Sequence, residues 1–292
     1  VGMGPFPDGV YRAQFPYLYR KPEGMTDKEY MDECVKSVYD VFENCSPAEY
    51  VAAIVMEPLQ GEGGFIPAPI EFVKAVRKIC DEKGILLIAD EVQSGFGRTG
   101  KLFASEYWKE NGCAPDIIAT AKSIAGGVPL SAVIASKEVM DAVPGGTIGG
   151  TYGGNALACA AGLEVLKLME EGGLVKRSQE IGKKVMAAFN EMKEKYEVVG
   201  DVRGLGAMIG VEFVKDKKTK EPNPEFVGKF IQECAKNGLL VENAGIYGNV
   251  IRFLAPLVIT DAQLDAGLEI YENAINCLLY TSPSPRDISG SR

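Results

Sequence analysis

Two short apolar runs in the middle of the sequence each end in residues that could do chemistry. The run 85–89 leads directly into Asp90, with Gln93 close behind, and the run 117–121 leads into Lys122. The run 85–89 is too short for an ordinary helix, and its unbroken apolar character is typical of a strand buried on both faces of a parallel sheet; the run 117–121 ends in the same manner. Because ligands of such sheets bind beyond the carboxyl ends of the strands, the spacing predicts an acid and an amine in one crevice.

Simpler interpretations of these residues stay open. Asp90 could merely cap the next segment, and Lys122 could be a solvated loop lysine. The segment 95–101 also satisfies the GxxxxGK pattern of a nucleotide-binding loop, but Leu102 follows where a Ser or Thr must hold Mg²⁺. The glycines come after the acidic residues instead of leading from their own strand into a helix, which disfavours an NTPase.

The composition is that of an ordinary globular chain. Of its 292 residues, 46% are hydrophobic and 24% are charged, which is enough apolar material for a large core. The net charge of -9 argues against a nucleic-acid partner, since no basic stripe could neutralise phosphates. No apolar run approaches the length of a membrane span. Seven scattered cysteines without a CxxC pair suit reduced thiols, so we expect a cytoplasmic protein without a disulfide framework or a metal site.

Histidine is absent from the sequence. Its absence excludes Ser-His and Cys-His nucleophile systems within the chain, and the common metal sites that contain histidine. Any general base must therefore be a carboxylate, a tyrosine or a lysine. A lysine base suggests a carbonyl cofactor.

The order of the expected elements is that of a parallel α/β sheet followed by a smaller α+β unit. Thr26 and Glu29 form a capping-box pattern at the start of a helix, and Gly84 is typical of a helix end. Up to Gly172 we predict helices at 25–44, 70–83 and 156–170, and further strands at 51–56 and 133–135. Beyond Gly172 we predict helices at 174–197, 223–237 and 261–276, a glycine-broken start followed by one strand within 200–214, and strands at 239–242 and 250–259.

DEVQSGFGRTG at 90–100 and AKSIAGG at 121–127 occur together and in order. With further motifs up to about Asn276, they make the sequence resemble the class III, pyridoxal-phosphate-dependent aminotransferases of fold type I. The resemblance implies a mostly parallel large domain at 1–172, here incomplete, and a small α+β domain at 173–276. It also implies pyridoxal 5'-phosphate as the cofactor, and a homodimer or a dimer of dimers as the assembly.

The same motifs imply roles for the residues that could bind the cofactor. By position, Lys122 is the lysine that bonds covalently to pyridoxal phosphate and then acts as general base and acid. Asp90 matches the aspartate on the cofactor's ring nitrogen, and Gln93 matches the residue bonded to its phenolic oxygen. Thr151 matches the threonine that binds the phosphate from the neighbouring subunit. Without the resemblance, Thr151 would be interpreted as a plain loop hydroxyl.

Arg252 lies between apolar residues, where a buried arginine needs a partner and offers a planar fork for a carboxylate. It resembles the family's arginine for the substrate α-carboxylate. Glu62, in the glycine-rich segment 59–67, resembles the glutamate that neutralises this arginine when a substrate lacks an α-carboxylate. A permanent salt bridge between the two is the alternative. We expect Glu57 to support the residues that contact the ligand without reacting itself, and Arg203 to have a structural role.

Within the family, the segments 4–12, 200–210 and 245–257 are most similar to the branch that acts on 4-aminobutyrate. The implied reaction converts 4-aminobutyrate and 2-oxoglutarate into succinate semialdehyde and glutamate. Acetylornithine, ornithine or another ω-amino acid is the alternative donor. A racemase or aminomutase of the same fold also stays open, as does a non-catalytic binding protein in which Lys122 carries no cofactor.

The sequence departs from the family's pattern at both ends. We expect it to lack roughly the first third of the family's chain, with a Gly-Ser/Thr loop for the cofactor phosphate, an aromatic residue that stacks on the ring, and a second carboxylate-binding arginine. CLLYTSPSPRD at 277–287 matches the translation of a sequencing-library adapter, so residues 277–292 are interpreted as a non-native tail. The chain is therefore expected to be a fragment that is inactive alone.

Overall fold

The computed structural model describes residues 4–147 and 149–280. Its strands are β1 (Ala53–Met56), β2 (Leu59–Gln60), β3 (Ile66–Pro67), β4 (Leu86–Asp90), β5 (Ile117–Thr120), β6 (Ala132–Ala135), β7 (Val199–Leu205), β8 (Met208–Phe213), β9 (Glu242–Ala244) and β10 (Val250–Phe253). Its helices are α1 (Asp27–Asn44), α2 (Ile70–Lys83), α3 (Glu106–Glu110), α4 (Lys137–Asp141), α5 (Ala156–Glu171), α6 (Leu174–Lys195), α7 (Pro224–Lys236) and α8 (Asp261–Tyr280). Short 3-10 helices lie at Leu18–Arg20, Ala48–Tyr50 and Lys122–Ala125.

The first sheet has the strand order β1-β4-β5-β6. β1, β4 and β5 run parallel, as the sequence predicts, while β6 returns antiparallel to β5. Asp90, the last residue of β4, pairs with Ala119 of β5. Because Lys122 lies two residues after the end of β5, this register brings Asp90 and Lys122 to the same edge of the sheet.

Local signals in the sequence set the ends of the first two long helices. The capping box before α1 is present, because the Thr26 hydroxyl accepts from the Glu29 amide and the Glu29 carboxylate accepts from the Thr26 amide at 2.8 Å. α2 ends at Gly84, whose φ of 69° is left-handed. Both helices and β4 contribute to one apolar core, whose buried members include Tyr30, Cys34, Phe72, Val73, Val76, Leu87 and Ala89.

The prediction that β4 is buried on both faces is wrong for this chain. Leu87 and Ala89 are fully buried, whereas Leu86 and Asp90 on the opposite face are partly exposed. On β1, Val55 is 62% exposed. The reason is that α2 packs on only one face of this sheet, so the apolar composition of the strands overstates their burial.

The second sheet is wholly antiparallel, in the order β7-β8-β10-β9. α6, α7 and α8 cover one face of it, and the largest buried side chains of this core are Phe189, Phe213, Phe230, Ile181, Ile209 and Ile251. The opposite face of β8 meets the β2–β3 hairpin, where Leu59 and Phe65 pack on Met208. β8 is consequently buried on both faces along its whole length.

The glycine-broken start predicted within 200–214 is in fact the strand β7, and the strand predicted after it is β8. Leu205 pairs with Met208, so the connection is a two-residue hairpin. Its first position is Gly206, with φ 52°. A Cβ on Gly206 would lie 2.3 Å from the carbonyl carbon of Thr99, so the turn also needs glycine for close packing.

The strand predicted at 239–242 lies further along the chain, at Glu242–Ala244. Leu240 is 87% exposed and does not join the sheet. Pairing with β10 begins where Glu242 stands opposite Arg252, because the turn at 245–248 fixes which residues of the two strands face each other.

Gly172 and Gly173 separate α5 from α6, at the predicted boundary between the domains, whose extents of 1–172 and 173–276 remain a prediction. The predicted last helix continues past Asn276 to Tyr280, so the first four residues assigned to the tail are helical. The rest of the predicted tail, residues 281–292, lies outside the described residues, as does Ile148 in the glycine-rich loop. Within residues 4–147 and 149–280, every helix is too short or too polar to serve as a membrane span.

Candidate active site

The ends of β1, β4 and β5 lie along one edge of the first sheet and bring Glu57, Asp90 and Lys122 into one crevice. The charges of Asp90 and Lys122 both act on the carboxyl group of Glu57. Burial is the largest influence on Glu57, and it raises the pKa of this carboxyl group. One oxygen of Asp90 accepts from the Val92 amide at 3.0 Å, which leaves the other oxygen available to a ligand.

Lys122 has a left-handed backbone, with φ 46°. This conformation costs a residue with a side chain about 1–2 kcal/mol, and such strain concentrates at functional sites. The neighbouring Ile124 and Ala125 are buried against α5, and their packing holds the strained turn in place. The Lys122 side chain is exposed, so its amine is accessible to a ligand.

Gln93 supplies an unsatisfied polar atom to this crevice. Its Oε1 is buried and has no hydrogen-bond partner among the described residues. Gly61 packs so closely against it that a Cβ would lie 2.0 Å from this oxygen. Leaving a buried polar atom unpaired costs about 1–3 kcal/mol. Because the amide carries both donors and an acceptor, a polar ligand could remove this cost, and Gln93 therefore fits a cofactor contact.

Glu57 holds the start of the loop between β2 and β3, since its Oε1 accepts from the Gly61 amide at 2.9 Å. A cavity of about 790 Å³ opens beside it and is also lined by Val55, Asp90 and the segment 9–15. Glu57 therefore touches both the loop and the cavity, which agrees with the supporting position predicted for it.

The same loop brings Glu62 to Arg252. Glu62 Oε1 lies 2.6 Å from Arg252 Nη1, although the two residues are 190 positions apart. The Arg252 side chain is only 15% exposed, whereas that of Glu62 is 74% exposed. The main-chain carbonyl of Glu62 accepts from the Gly245 amide at 2.9 Å, so the backbone is fixed while the side chain faces solvent.

Sequence reasoning missed Glu242, a second acidic partner of Arg252. Its Oε2 lies 2.8 Å from Arg252 Nη2. The signal was present: a short turn at 245–248 separates Glu242 from the strand of Arg252, and folding that turn sets the two residues opposite each other.

Arg203, expected to be structural, ties the Glu62 loop to the second sheet. Its Nε and Nη2 donate to the Gly64 carbonyl at 3.0 and 2.6 Å, and its Nη1 donates to Glu212 at 2.7 Å. Arg203 thus stabilises the backbone two residues after Glu62.

Glu212 is the centre of a buried ionic network. It is fully buried, and besides Arg203 it accepts from Arg20 Nε at 2.7 Å and from the Tyr17 hydroxyl. Burial raises the pKa of Tyr17, which therefore stays a donor to Glu212. The network joins the segment before α1 to β7 and β8.

Thr151 is not brought into the crevice of this chain. It lies in an exposed turn before α5, and its side chain makes no hydrogen bond within the part of the chain that the structure describes. Large apolar side chains that follow it in the chain are also exposed: Tyr152 by 85%, and on α5 Leu157 by 73% and Leu163 by 61%.

The nucleotide-loop interpretation of 95–101 is wrong. The segment forms successive turns, and α3 begins only at Glu106. Lys101 pairs with Glu110 at 2.5 Å instead of facing a phosphate site.

A mostly parallel sheet with an acid and a lysine at adjacent strand ends, joined to a small antiparallel sheet that supplies an arginine, is the arrangement of a fold type I pyridoxal-phosphate transferase. The family model "Aminotransferase class-III" matches residues 1–275. The chain therefore belongs to the class III aminotransferases, and the family prediction is confirmed. The family also supports the prediction of pyridoxal phosphate as cofactor.

Two similar relatives are aminotransferases of ω-amino acids. The chain is 48% identical over 271 residues to a probable 4-aminobutyrate aminotransferase of Bacillus subtilis (strain 168), which covers 93% of this chain and 62% of the relative. It is 48% identical over 272 residues to the 5-aminovalerate aminotransferase DavT of Pseudomonas putida, which covers 93% of this chain and 61% of that relative. The chain thus spans less than two thirds of the length of either.

A solved amine transaminase from an uncultivated Pseudomonas species, in its PLP-bound form, has the same fold. It superposes with a TM-score of 0.85 at 33% identity, covering 94% of this chain and 63% of the other. The predicted fold class, a fold type I transferase with a mostly parallel sheet, is thereby confirmed.

Proposed function

We propose that the full-length protein transaminates an ω-amino acid, foremost 4-aminobutyrate, with 2-oxoglutarate as the acceptor. The observation that carries this proposal is the ion pair of Arg252 with Glu62, in which the carboxylate comes from a glycine-rich loop and faces solvent. An arginine that can be either free or neutralised suits two kinds of substrate in one site. The names of the two relatives, which act on 4-aminobutyrate and 5-aminovalerate, support the donor class.

Pyridoxal phosphate is the proposed cofactor, held by Asp90, Gln93 and Lys122. When bound, it supplies an electron sink for the carbon that carries the substrate nitrogen. The carboxylate of Asp90 favours a proton on a ring nitrogen beside it. Gln93 Oε1, which has no partner among the described residues, would accept a hydrogen bond from the cofactor's phenolic hydroxyl. Lys122 Nζ, accessible at the crevice, would take a proton from the substrate carbon as a base and deliver it to the cofactor carbon as an acid.

The two substrates would differ in whether they bind Arg252. 2-Oxoglutarate and glutamate carry an α-carboxylate, which would take the place of the Glu62 carboxylate on Arg252 in a charge-assisted hydrogen bond. 4-Aminobutyrate has no carboxylate beside its amino group, so Glu62 would stay on Arg252. Burying a guanidinium is costly, and in the second case Glu62 remains beside Glu242 as a carboxylate partner of Arg252.

We also propose a homodimer or a dimer of dimers in which Thr151 binds the cofactor phosphate of the neighbouring subunit. The support is that large apolar side chains which follow Thr151 in the chain, among them Tyr152, Leu157 and Leu163, are exposed, since exposed apolar surface can mark interaction sites. Sedimentation of the full-length protein as a monomer at micromolar concentration would refute this proposal.

The scattered cysteines support a cytoplasmic location. Release with the contents of an extracytoplasmic compartment would contradict it.

The test is to record the visible spectrum of the full-length holoenzyme while donors are added without acceptor. We expect 4-aminobutyrate to remove the cofactor band and 2-oxoglutarate to restore it. A response only to ornithine or N-acetylornithine would keep transamination and overturn the donor. Interconversion of enantiomers without any oxo acid would instead establish a racemase, and the absence of any band would leave a binding protein without bound cofactor.

Lys122→Ala should lower turnover by on the order of a thousandfold or more, because both the covalent link and the proton carrier are lost. Lys28→Ala is the matched control, since Lys28 forms an exposed ion pair with Asp32 on α1, and it should keep full activity. Equal activities of the two variants would remove Lys122 from the mechanism. Turnover by the 292-residue chain itself would refute the expectation that it is inactive alone.

A further inference from the structure

Arg252 has two carboxylate partners that come from different kinds of structure. Glu62 lies on the loop between β2 and β3, whereas Glu242 lies on β9, directly opposite Arg252 in the antiparallel pair with β10. Residues directly opposite in such a pair project from the same face, with their Cβ atoms about 5 Å apart. Glu242 is therefore held near Arg252 by the strand register.

The two glutamates contact the two outer nitrogens of the Arg252 guanidinium. Nη1 contacts Glu62 at 2.6 Å and Nη2 contacts Glu242 at 2.8 Å. Nε is buried and has no partner among the described residues. A substrate carboxylate must therefore approach through the Nη atoms, where it shares the guanidinium with whichever glutamate remains.

We propose that Glu242 is a specificity-determining residue that weakens the binding of an α-carboxylate at Arg252; this inference rests on the proposed function of that arginine. When Glu62 turns away, Arg252 still faces the negative charge of Glu242, so an incoming carboxylate meets a neutral pair instead of a free cation. An ω-amino substrate does not compete for Arg252 and is not affected. Glu242 thus shifts the balance of the site away from 2-oxoglutarate and glutamate and towards the ω-amino donor.

The size of the effect follows from exposure. The side chain of Glu242 is 75% exposed, so solvent screens its charge. Exposed ion pairs change affinities by at most about fivefold. Glu242→Gln keeps the shape of the side chain and removes the charge, so it should tighten the binding of a dicarboxylate by roughly that factor.

The experiment titrates glutarate, a dicarboxylate without an amino or oxo group, into the full-length holoenzyme by calorimetry. We expect Glu242→Gln to lower the Kd for glutarate and the KM for 2-oxoglutarate about fivefold, with the KM for 4-aminobutyrate and kcat within about twofold of the wild type. Glu225→Gln, which removes an exposed glutamate paired with Lys229 on α7, is the control and should change none of them.

An unchanged or weakened glutarate affinity in Glu242→Gln would overturn the inference, as would an equal gain for 4-aminobutyrate. Failure of both proteins to bind glutarate would overturn it as well, because Arg252 would then not be a carboxylate site. The titration needs no turnover. If the wild-type protein binds glutarate but does not transaminate 4-aminobutyrate, that result would contradict only the proposed function.

Discussion

The two sheets differ in how completely their faces are covered. β8 in the second sheet lies between the helices α6–α8 on one side and the β2–β3 hairpin with the Glu212 network on the other. In the first sheet α2 covers one face of β4, while Val55 on β1 is 62% exposed and Val133 on β6 is 58% exposed. The central strand of the antiparallel sheet is thus enclosed within this chain, whereas strands of the parallel sheet are open on one side.

The candidate site takes residues from both sheets, and its two parts differ in how many contacts within the chain hold them. At the antiparallel sheet, Arg252 is held by two carboxylates and the Glu62 loop is tied by Arg203. At the parallel sheet, Gln93 has an unpaired buried oxygen and Lys122 is exposed. The end that would recognise a carboxylate is therefore organised by contacts within the chain, while the end that would hold the cofactor has unsatisfied groups.

The largest difference in the free energy of unfolding should appear when an enclosed position of the second sheet's core is compared with an open position of the first sheet. Phe230 is fully buried and its ring contacts Phe213 and Tyr271, so Phe230→Ala should lower the free energy of unfolding by about 3–5 kcal/mol. Val133→Ala, at an exposed position of β6, should change it by less than about 0.5 kcal/mol. Urea unfolding of the 292-residue chain measures both. Similar losses in the two variants would erase the contrast.

A second variant tests the ionic network behind β8. Glu212→Gln leaves the largely buried Arg20 without a carboxylate and Arg203 with Asp201 alone, and we expect a loss of about 3 kcal/mol or more in the free energy of unfolding. Glu233→Gln, which breaks an ion pair with Lys236 on α7, should have a much smaller effect because Lys236 is exposed to solvent. If the two losses matched, the network would contribute no more than a surface pair.

The smallest expected effect concerns Glu57 beside the open sheet. Burial raises the pKa of Glu57, so its protonated form favours folding; that contribution is present below the unfolded-state pKa and is lost as the pH rises through the folded-state pKa. Glu57→Gln cannot ionise. Its stability relative to the wild type should therefore grow from acidic pH towards pH 7. A difference in urea midpoint that does not vary with pH would contradict this.

Local signals allowed part of this structure to be predicted. The caps of α1 and α2 are set by neighbouring residues, and the meeting of Asp90 and Lys122 follows from the general geometry of parallel strands. The pairing of Arg252 with Glu62 came only from the family resemblance, because no local rule links residues 190 positions apart.

What the sequence did not reveal depends on tertiary contacts. Glu242 reaches Arg252 only after the hairpin register is fixed, and Arg203 reaches Gly64 across 139 positions. The open face of β4 was missed for the same reason, because the sequence of an apolar strand does not show whether another element packs on it.

The loop that carries Glu62 is anchored at three successive places. Glu57 accepts from the Gly61 amide, Gly245 donates to the Glu62 carbonyl, and Arg203 donates to the Gly64 carbonyl. With its main chain held, the proposed release of Arg252 needs only rotation about the side-chain bonds of one exposed glutamate. Such rotations take picoseconds to nanoseconds. The release of Arg252 by Glu62 should therefore not limit turnover, and it requires no movement of a domain.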